Sequence, residues 1–150
     1  MATIRDESKR QELSARLMKL TGGEKPAWGK MTAGQMMSHL VQAGEMPFTE
    51  TLPDRSTFAY RMFVKPLILY VLPMPKEVKT SPEMNQQERG RPPGDFNDDR
   101  ELVIGLIEKL GTLPADTKCL HHPMFGPMSA KEWAVIAHNH IDHHLKQFGV

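Results

Sequence analysis

His140 and His144 stand four residues apart in the most regular helical pattern of the chain. A helix advances just over one turn in four residues, so both imidazoles leave the same face. Imidazole is a preferred ligand of divalent transition metals. The spacing therefore indicates one half of a metal site, and the remaining ligands must come from another element.

A helical wheel places the pair within an apolar stripe. At about 100° per residue, His144 and Trp133 lie within about 40° of His140. His143 lies about 60° away, at the edge of the stripe, and is the alternative to His144 as second ligand. His138 points to the opposite side, where we expect it to be solvated.

One other histidine, His39, belongs to a helical pattern and shares its face with Met36 and Ala43. A buried neutral imidazole needs a partner for each ring nitrogen. Three imidazoles could meet that need by binding one cation, and three histidine ligands with open positions are typical of a catalytic metal site. The alternative is a hydrogen-bonded polar network in the core, and the spacing alone does not bring His39 to the late pair.

Several other side chains share the faces of the candidate ligands. An amide cannot accept a proton, so the glutamines among them could orient a ligand or a substrate but not act as a general base. No catalytic base is evident from the sequence. These candidates for supporting or substrate-binding roles are Gln35, Gln42, Gln147, Trp133 and His143.

Composition narrows the class of protein. The 150 residues carry 19 Lys and Arg against 18 Asp and Glu, a net charge of +1, which gives no reason to expect a nucleic-acid or acidic-membrane partner. The apolar stretch 64–72 is too short to span a membrane and contains Lys65 and Pro66. A lone cysteine, Cys119, favours a reducing compartment, so we expect a cytoplasmic protein.

The elements that must position these residues are all predicted to be helical. Thr32 with Gln35, and Ser129 with Glu132, have the form of capping boxes and predict two helix starts. Pro66 should kink the third segment or mark its true start. The predicted helices cover residues 4–20, 32–46, 55–72, 98–110 and 129–148.

No segment alternates with the period of a strand, so the fold class is all-α. We expect one domain over residues 1–150, with four main helices and an extra short or kinked one. Residues 73–96 are rich in proline and glycine and predict a long loop. Loops of this length in compact domains are often functional covers.

Three motifs carry a resemblance to a known group of proteins. They are Trp28–Leu40 (WGKMTAGQMMSHL), His122–Ser129 (HPMFGPMS), and Glu132–Trp133 together with His140–Gly149 (HIDHHLKQFG). With these motifs the chain resembles the DinB-like (DinB/YfiT-like) superfamily of bacterial metalloproteins, in a branch of uncharacterised function. The resemblance implies an antiparallel four-helix bundle with one long crossover, homodimers, and the metal ligands His39, His140 and His144.

The resemblance also indicates a function. Three neutral ligands would leave the charge of a divalent ion, Zn²⁺ or Ni²⁺, nearly uncompensated, so that a bound water or thiol is acidified. We therefore expect metal-dependent hydrolysis or S-transfer on a small molecule. A low-molecular-weight thiol is the expected co-substrate, because relatives in the superfamily include thiol-dependent transferases. The alternative is a non-catalytic dimeric helical scaffold with a structural or metal-binding histidine cluster, whose dimer face would be residues 63–72.

Overall fold

Four of the helices begin at side chains that cap their first turns. Asp6, Thr32, Asp95 and Ser129 each accept a hydrogen bond from a backbone N–H one turn further on. Both predicted capping boxes are present, so the predicted starts of the second and last helices are confirmed. The computed structural model describes residues 2–49, 52–76 and 81–150. Its helices are α1 (Glu7–Leu17), α2 (Ala33–Glu45), α3 (Lys65–Tyr70), α4 (Phe96–Gly111) and α5 (Ala130–Gln147).

A π-helix, Tyr60–Val64, runs directly into α3. Pro66 lies in the first turn of α3, where its missing N–H costs no hydrogen bond. The proline therefore marks the start of the regular helix, one of the two outcomes predicted for the 55–72 segment. The π-helix has no buried residue, whereas α3 buries Leu69.

α5 is the central element of the fold, because it contacts α1, α2, α3 and α4. α2 and α1 pack in addition against α4. Leu13, Met36, Ile107, Trp133 and Leu145 represent the core, and each is no more than 2% exposed. The residues that the structure describes contain no β-strand, so the all-α prediction is confirmed for them. None of the described helices is long and apolar enough to cross a membrane.

The boundaries of α1 and α4 differ from the prediction. α1 covers residues 7–17 rather than 4–20, yet Ile4 and Leu20 are buried by the turns that flank it. α4 starts two residues before the predicted position because Asp95, and not a later residue, caps it. The apolar pattern that predicted α1 is therefore longer than the helix, because residues in the flanking turns are also buried.

The prediction that His138 is solvated is wrong. The residue is only 8% exposed. α5 packs against α1 on that side, where Arg16 forms an ion pair with Asp142 at 2.8 Å. The helical wheel assumed that α5 has one buried face. Because α5 is the central helix, other helices cover several of its faces.

The predicted loop 73–96 ends at Phe96, where α4 begins. Residues 77–80 of this prediction lie outside the described residues. Residues 82–84 and 86–89 form turns, and several hydrogen bonds attach this part of the chain to α2. Arg91 also pairs with the buried carboxylate of Asp99 on α4, at 2.8 Å.

Candidate metal centre

α2 and α5 bring three histidines together. Nε2 of His140 lies 3.0 Å from Nε2 of His39, which is 101 positions away in the sequence, and 3.0 Å from Nε2 of His144. The ligand atoms of all three lie within 4.8 Å of one another. The packing of α2 against α5 thus brings His39 to His140 and His144. The spacing of His140 and His144 alone did not identify α2 as the second element of the site.

The arrangement has dimensions suited to one ion. Metal–nitrogen bonds of about 2.0–2.1 Å, at angles of about 90–110°, place ligand nitrogens about 3.0–3.4 Å apart. The ring pairs meet edge to face, with interplanar angles of 82° for His39 and His140, 75° for His39 and His144, and 68° for His140 and His144. Nε2 of His140 thus lies at this separation from the other two nitrogens, and the ligand atoms of His39 and His144 lie within 4.8 Å of each other.

All three imidazoles are neutral at ordinary pH. Burial lowers the pKa of His39 to about 4 and, together with the nearby His39, the pKa of His144 to about 3. Burial, followed by the neighbouring histidines, holds the pKa of His140 well below its usual range. A neutral imidazole offers a lone pair, which is the state that metal binding requires.

Gln147 fixes the tautomer of His144. The amide Nε2 of Gln147 donates to the backbone carbonyl of Trp28 at 2.7 Å, so its Oε1 must face His144. That oxygen lies 2.8 Å from Nδ1 of His144 and can only accept, so Nδ1 carries the proton. Nε2 of His144 is left with a lone pair that points at the other two histidines.

Gly29 makes room for this contact. It has φ +77°, and a Cβ at this position would lie 2.8 Å from Nε2 of Gln147. A side chain at position 29 would therefore collide with the amide that orients His144. The Trp28–Gly29 pair thus supports the metal centre from a connector distant in sequence from α5.

As a neutral network, the three histidines have at most one proton, on Nε2 of His140, to share between two acceptors. If Nε2 of His140 carries a proton, that proton faces two acceptors, and His39 must hold its own proton on Nδ1. If it carries none, its lone pair opposes that of His144 at 3.0 Å. A shared cation removes this conflict, because it accepts all three lone pairs at once.

Nδ1 of His39 is buried and has no hydrogen-bond partner of standard geometry among the described residues. The backbone of Met84 is close enough to favour a protonated ring slightly. A long contact of this kind suits a ligand whose Nδ1–H points at a carbonyl while Nε2 binds a metal. The backbone of Met84, in the 81–94 part of the chain, therefore lies beside His39. Trp28 has the corresponding place on the side of His144, which it reaches through Gln147.

The remaining predicted candidates have structural contacts. Gln42 donates to the carbonyl of Glu83 at 2.9 Å and accepts from the Arg91 N–H at 3.0 Å. Gln35 completes the capping box of α2 and donates to the carbonyl of Gln86 at 3.4 Å. Both glutamines thus hold residues 81–94 against α2.

Trp133 and His143 lie beside the three ligands without joining them. Trp133 is buried, and its indole N–H donates to the carbonyl of Leu120 at 3.1 Å. His143 is half-buried and meets both His144 and Trp28 edge to face, with ring centroids 5.2 and 5.6 Å apart. His144 rather than His143 therefore joins His39 and His140 in the cluster that could hold an ion.

Trp28, Gly29 and Met84 were not singled out as supports of the site. Trp28 and Met84 contribute through their backbone carbonyls, which have no sequence signal. Gly29 does have one, because a glycine in a connector often marks a positive φ or a close approach.

The described elements are helices, and two of them bring three neutral imidazoles together. These features define a class of protein, the all-α proteins with a potential histidine metal centre. Within that class the chain belongs to the family described as "Protein of unknown function (DUF1569)", whose model matches residues 8–149. Comparisons with curated proteins and with solved structures gave no match.

Proposed function

We propose that this protein is a divalent-metal-dependent enzyme that acts on a small molecule, with His39, His140 and His144 as the metal ligands. The observation that supports it is the meeting of three buried or partly buried imidazole nitrogens, two of which would compete for a single proton if no cation were bound. A purely structural polar network would be expected to pair its donors with acceptors. Zn²⁺ or Ni²⁺ is the proposed ion, since both suit imidazole ligands.

The electrostatics of the site favour activation of a nucleophile. Among the described residues the cluster consists of histidines alone, without a carboxylate that would offset the charge of a cation. A divalent ion held by three neutral ligands supplies strong Lewis acidity, which activates a water or a thiol. His140 is partly exposed, whereas His39 and His144 are buried, so a small molecule would approach the site from the side of His140.

Within this function we favour thiol-dependent S-transfer over hydrolysis, on the resemblance to the DinB-like superfamily. In S-transfer, the sulfur of a low-molecular-weight thiol forms a bond to an electrophilic carbon as the leaving group departs with its electron pair. The three ligands and Gln147 would hold the centre rigid, and a second substrate would enter beside His140. A reducing cytoplasm, as the single Cys119 suggests, would keep such a thiol available.

The decisive experiment is elemental analysis of untagged protein. We expect about one divalent ion per chain, and we expect His140→Ala to lose it while keeping its helical circular dichroism. His121→Ala is the matched control, because His121 is partly exposed and its ring bonds only the carbonyl of Leu52. Protein without affinity for Zn²⁺ or Ni²⁺ would overturn the proposal.

We also propose that α1, α2, α4 and α5 form the antiparallel four-helix bundle of the DinB-like superfamily, with α3 as the extra short helix. Support comes from the contacts of α5 with each of the other three and from those of α4 with α1 and α2. In this arrangement the metal centre would lie between two helices of the bundle, where facing side chains build such sites in other helical proteins.

A homodimer is the second part of the proposal, and one observation favours it. Large apolar side chains of the segment 58–72 are exposed, among them Phe58 at 75%, Phe63 at 69% and Val71 at 70%. Exposed apolar patches of this kind commonly mark protein interfaces. A dimer that uses this face is compatible with catalysis and would also serve the scaffold alternative, in which the histidines have no chemical role.

A further inference from the structure

The His122–Ser129 motif has no role in the proposed metal centre, yet it builds a defined polar group. Nδ1 of His122 accepts hydrogen bonds from the backbone N–H groups of Met124 and Phe125, at 3.1 and 3.3 Å. The turn is closed by reciprocal backbone hydrogen bonds between His122 and Gly126, both 2.8 Å. The ring also stacks on Phe125, with centroids 4.5 Å apart. His122 is therefore held in one orientation.

This orientation determines the tautomer of His122. A nitrogen that accepts two N–H groups cannot carry a proton, so the proton of the neutral ring must be on Nε2. Burial, helped by the positive charge of Lys65, lowers the pKa of His122 to about 4, which keeps the ring neutral. Among the residues that the structure describes, none accepts a hydrogen bond from this Nε2–H. The ring is partly exposed, so the donor is available to a ligand.

The donor lies above the same face of α5 that carries the metal ligands. The ring of His122 meets Trp133 with centroids 5.3 Å apart. Trp133 precedes His140 by seven residues, which places the two about 20° apart on the wheel and about 10 Å apart along the axis. Side chains lean toward the start of a helix, so the ring of His140 reaches part of the way toward His122.

The face between them is accessible. Trp133 and Ile136 are buried, as expected for the inner face of α5. Ala137 and His140, on the same face, are partly exposed. A small residue next to a ligand, both open to solvent within an otherwise buried face, leaves a strip of free surface. We name the surface of Ala137 and His140, which adjoins the buried ring of Trp133, the α5 strip.

We propose that the α5 strip binds the substrate of the metal centre, and that Nε2–H of His122 donates a hydrogen bond to an oxygen at the end of the substrate remote from the metal. This inference rests on the proposed function. It narrows the substrate to a small molecule with two features, a metal-binding atom and an acceptor oxygen such as that of a carboxylate or carbonyl. Several bonds must separate them, because Trp133, which the ring of His122 contacts, lies about 10 Å from His140 along the helix axis.

The experiment uses Co²⁺-loaded protein and two series of thiols as probes. Mercaptopropionate, mercaptobutyrate and mercaptohexanoate carry a remote carboxylate, and alkanethiols of matching length do not. Binding is followed by the change in the Co²⁺ absorption spectrum. We expect one length of mercaptocarboxylate to bind about tenfold more tightly than its alkanethiol, as a hydrogen bond to a charged group predicts.

The variant His122→Asn removes the Nε2 donor but keeps the hydrogen bonds that hold the turn. Its Oδ1 can accept the same two backbone N–H groups as Nδ1 does, but it has no donor at the position of Nε2. We expect the carboxylate preference to disappear in this variant while the Kd of the alkanethiol is unchanged. His121→Asn is the control and should keep the preference.

The possible failures are distinguishable. If the protein binds no Co²⁺ or Zn²⁺, the proposed function and this inference are both overturned. If it binds the ion but shows no carboxylate preference at any chain length, only the inference fails. An unchanged preference in folded His122→Asn would also overturn the inference and leave the metal function intact.

Discussion

At the scale of single residues, the contact between His144, Gln147 and the Trp28 carbonyl is the part of the site most open to test. Two hydrogen bonds, of 2.8 and 2.7 Å, decide which nitrogen of His144 faces the other histidines. Partners of this kind commonly change metal affinity by 10–100-fold when they are removed. Their contribution can be measured without altering any ligand.

Gln147→Met removes both hydrogen bonds and keeps a side chain of similar length. We expect about 10–100-fold weaker Zn²⁺ binding, because His144 becomes free to take the wrong tautomer. Gln147→Glu keeps an acceptor for Nδ1 and should recover much of the affinity. ¹⁵N NMR of the histidine rings would report the tautomer directly, and an unchanged His144 tautomer in Gln147→Met would contradict the assignment.

Gly29→Ala tests the same contact from the other side. The new Cβ would be forced 2.8 Å from Nε2 of Gln147, so we expect the amide to shift and Zn²⁺ affinity to fall. Gly149→Ala is a matched control, since Gly149 has φ +83° and a Cβ there would meet nothing within 4 Å. Both variants should lose about 1–2 kcal/mol of stability from the left-handed backbone. Equal Zn²⁺ affinity in the two variants would show that Gly29 does not support the site.

At the scale of elements, the π-helix and α3 differ from the other helices in what they leave uncovered. The π-helix buries no residue, and α3 buries only Leu69. Phe63 projects from this segment with 69% of its surface exposed. Leu69, by contrast, belongs to the core, so a substitution there would test folding rather than association.

Phe63→Lys is therefore the appropriate test of the proposed dimer face. We expect sedimentation velocity to show a dimer for the wild type and a monomer for this variant, because a charge replaces apolar contact area. Met18→Lys is the control, since Met18 is 54% exposed outside this segment. A variant that remains dimeric would place the interface elsewhere. Zn²⁺ binding should be unchanged in both variants.

The sequence predicted the elements better than their edges. Thr32 and Ser129 were recognisable as helix starts because capping is a local interaction of side chain and backbone. The end of α1 was not, because Leu20 is buried by tertiary packing outside the helix. His138 was placed wrongly for a related reason, since periodicity cannot show that a helix is covered on a second side.

At the scale of the whole molecule, the site is a product of tertiary structure. The spacing of His140 and His144 predicted their common face, but their meeting with His39 depends on how α2 packs against α5. The support from Trp28 depends on a connector whose backbone carbonyl reaches α5. Local sequence rules contain neither distance, and the grouping of His39 with His140 and His144 was predicted from the resemblance to the DinB-like superfamily alone.

Burial of the histidines links the stability of the molecule to pH. An unfolded chain binds protons at its histidines below about pH 6.5. The folded chain does not, because the pKa of His39 is lowered to about 4 and that of His144 to about 3. Between these values the unfolded state holds more protons, so the free energy of unfolding rises with pH. It is highest above about pH 6.5 and declines as the pH falls toward 4.

We therefore expect urea denaturation of the metal-free protein to show falling stability from pH 7 to pH 5, with a smaller slope in His39→Leu. Zn²⁺ should add stability by mass action, about 2.7 kcal/mol at a free concentration of 100 times its Kd. Its affinity for the folded protein should change little between pH 7 and pH 5, because ligands with such low pKa values are already neutral there. A steep loss of Zn²⁺ affinity near pH 6.5 would mean that the three imidazoles titrate as solvated side chains, which their burial in the fold does not allow.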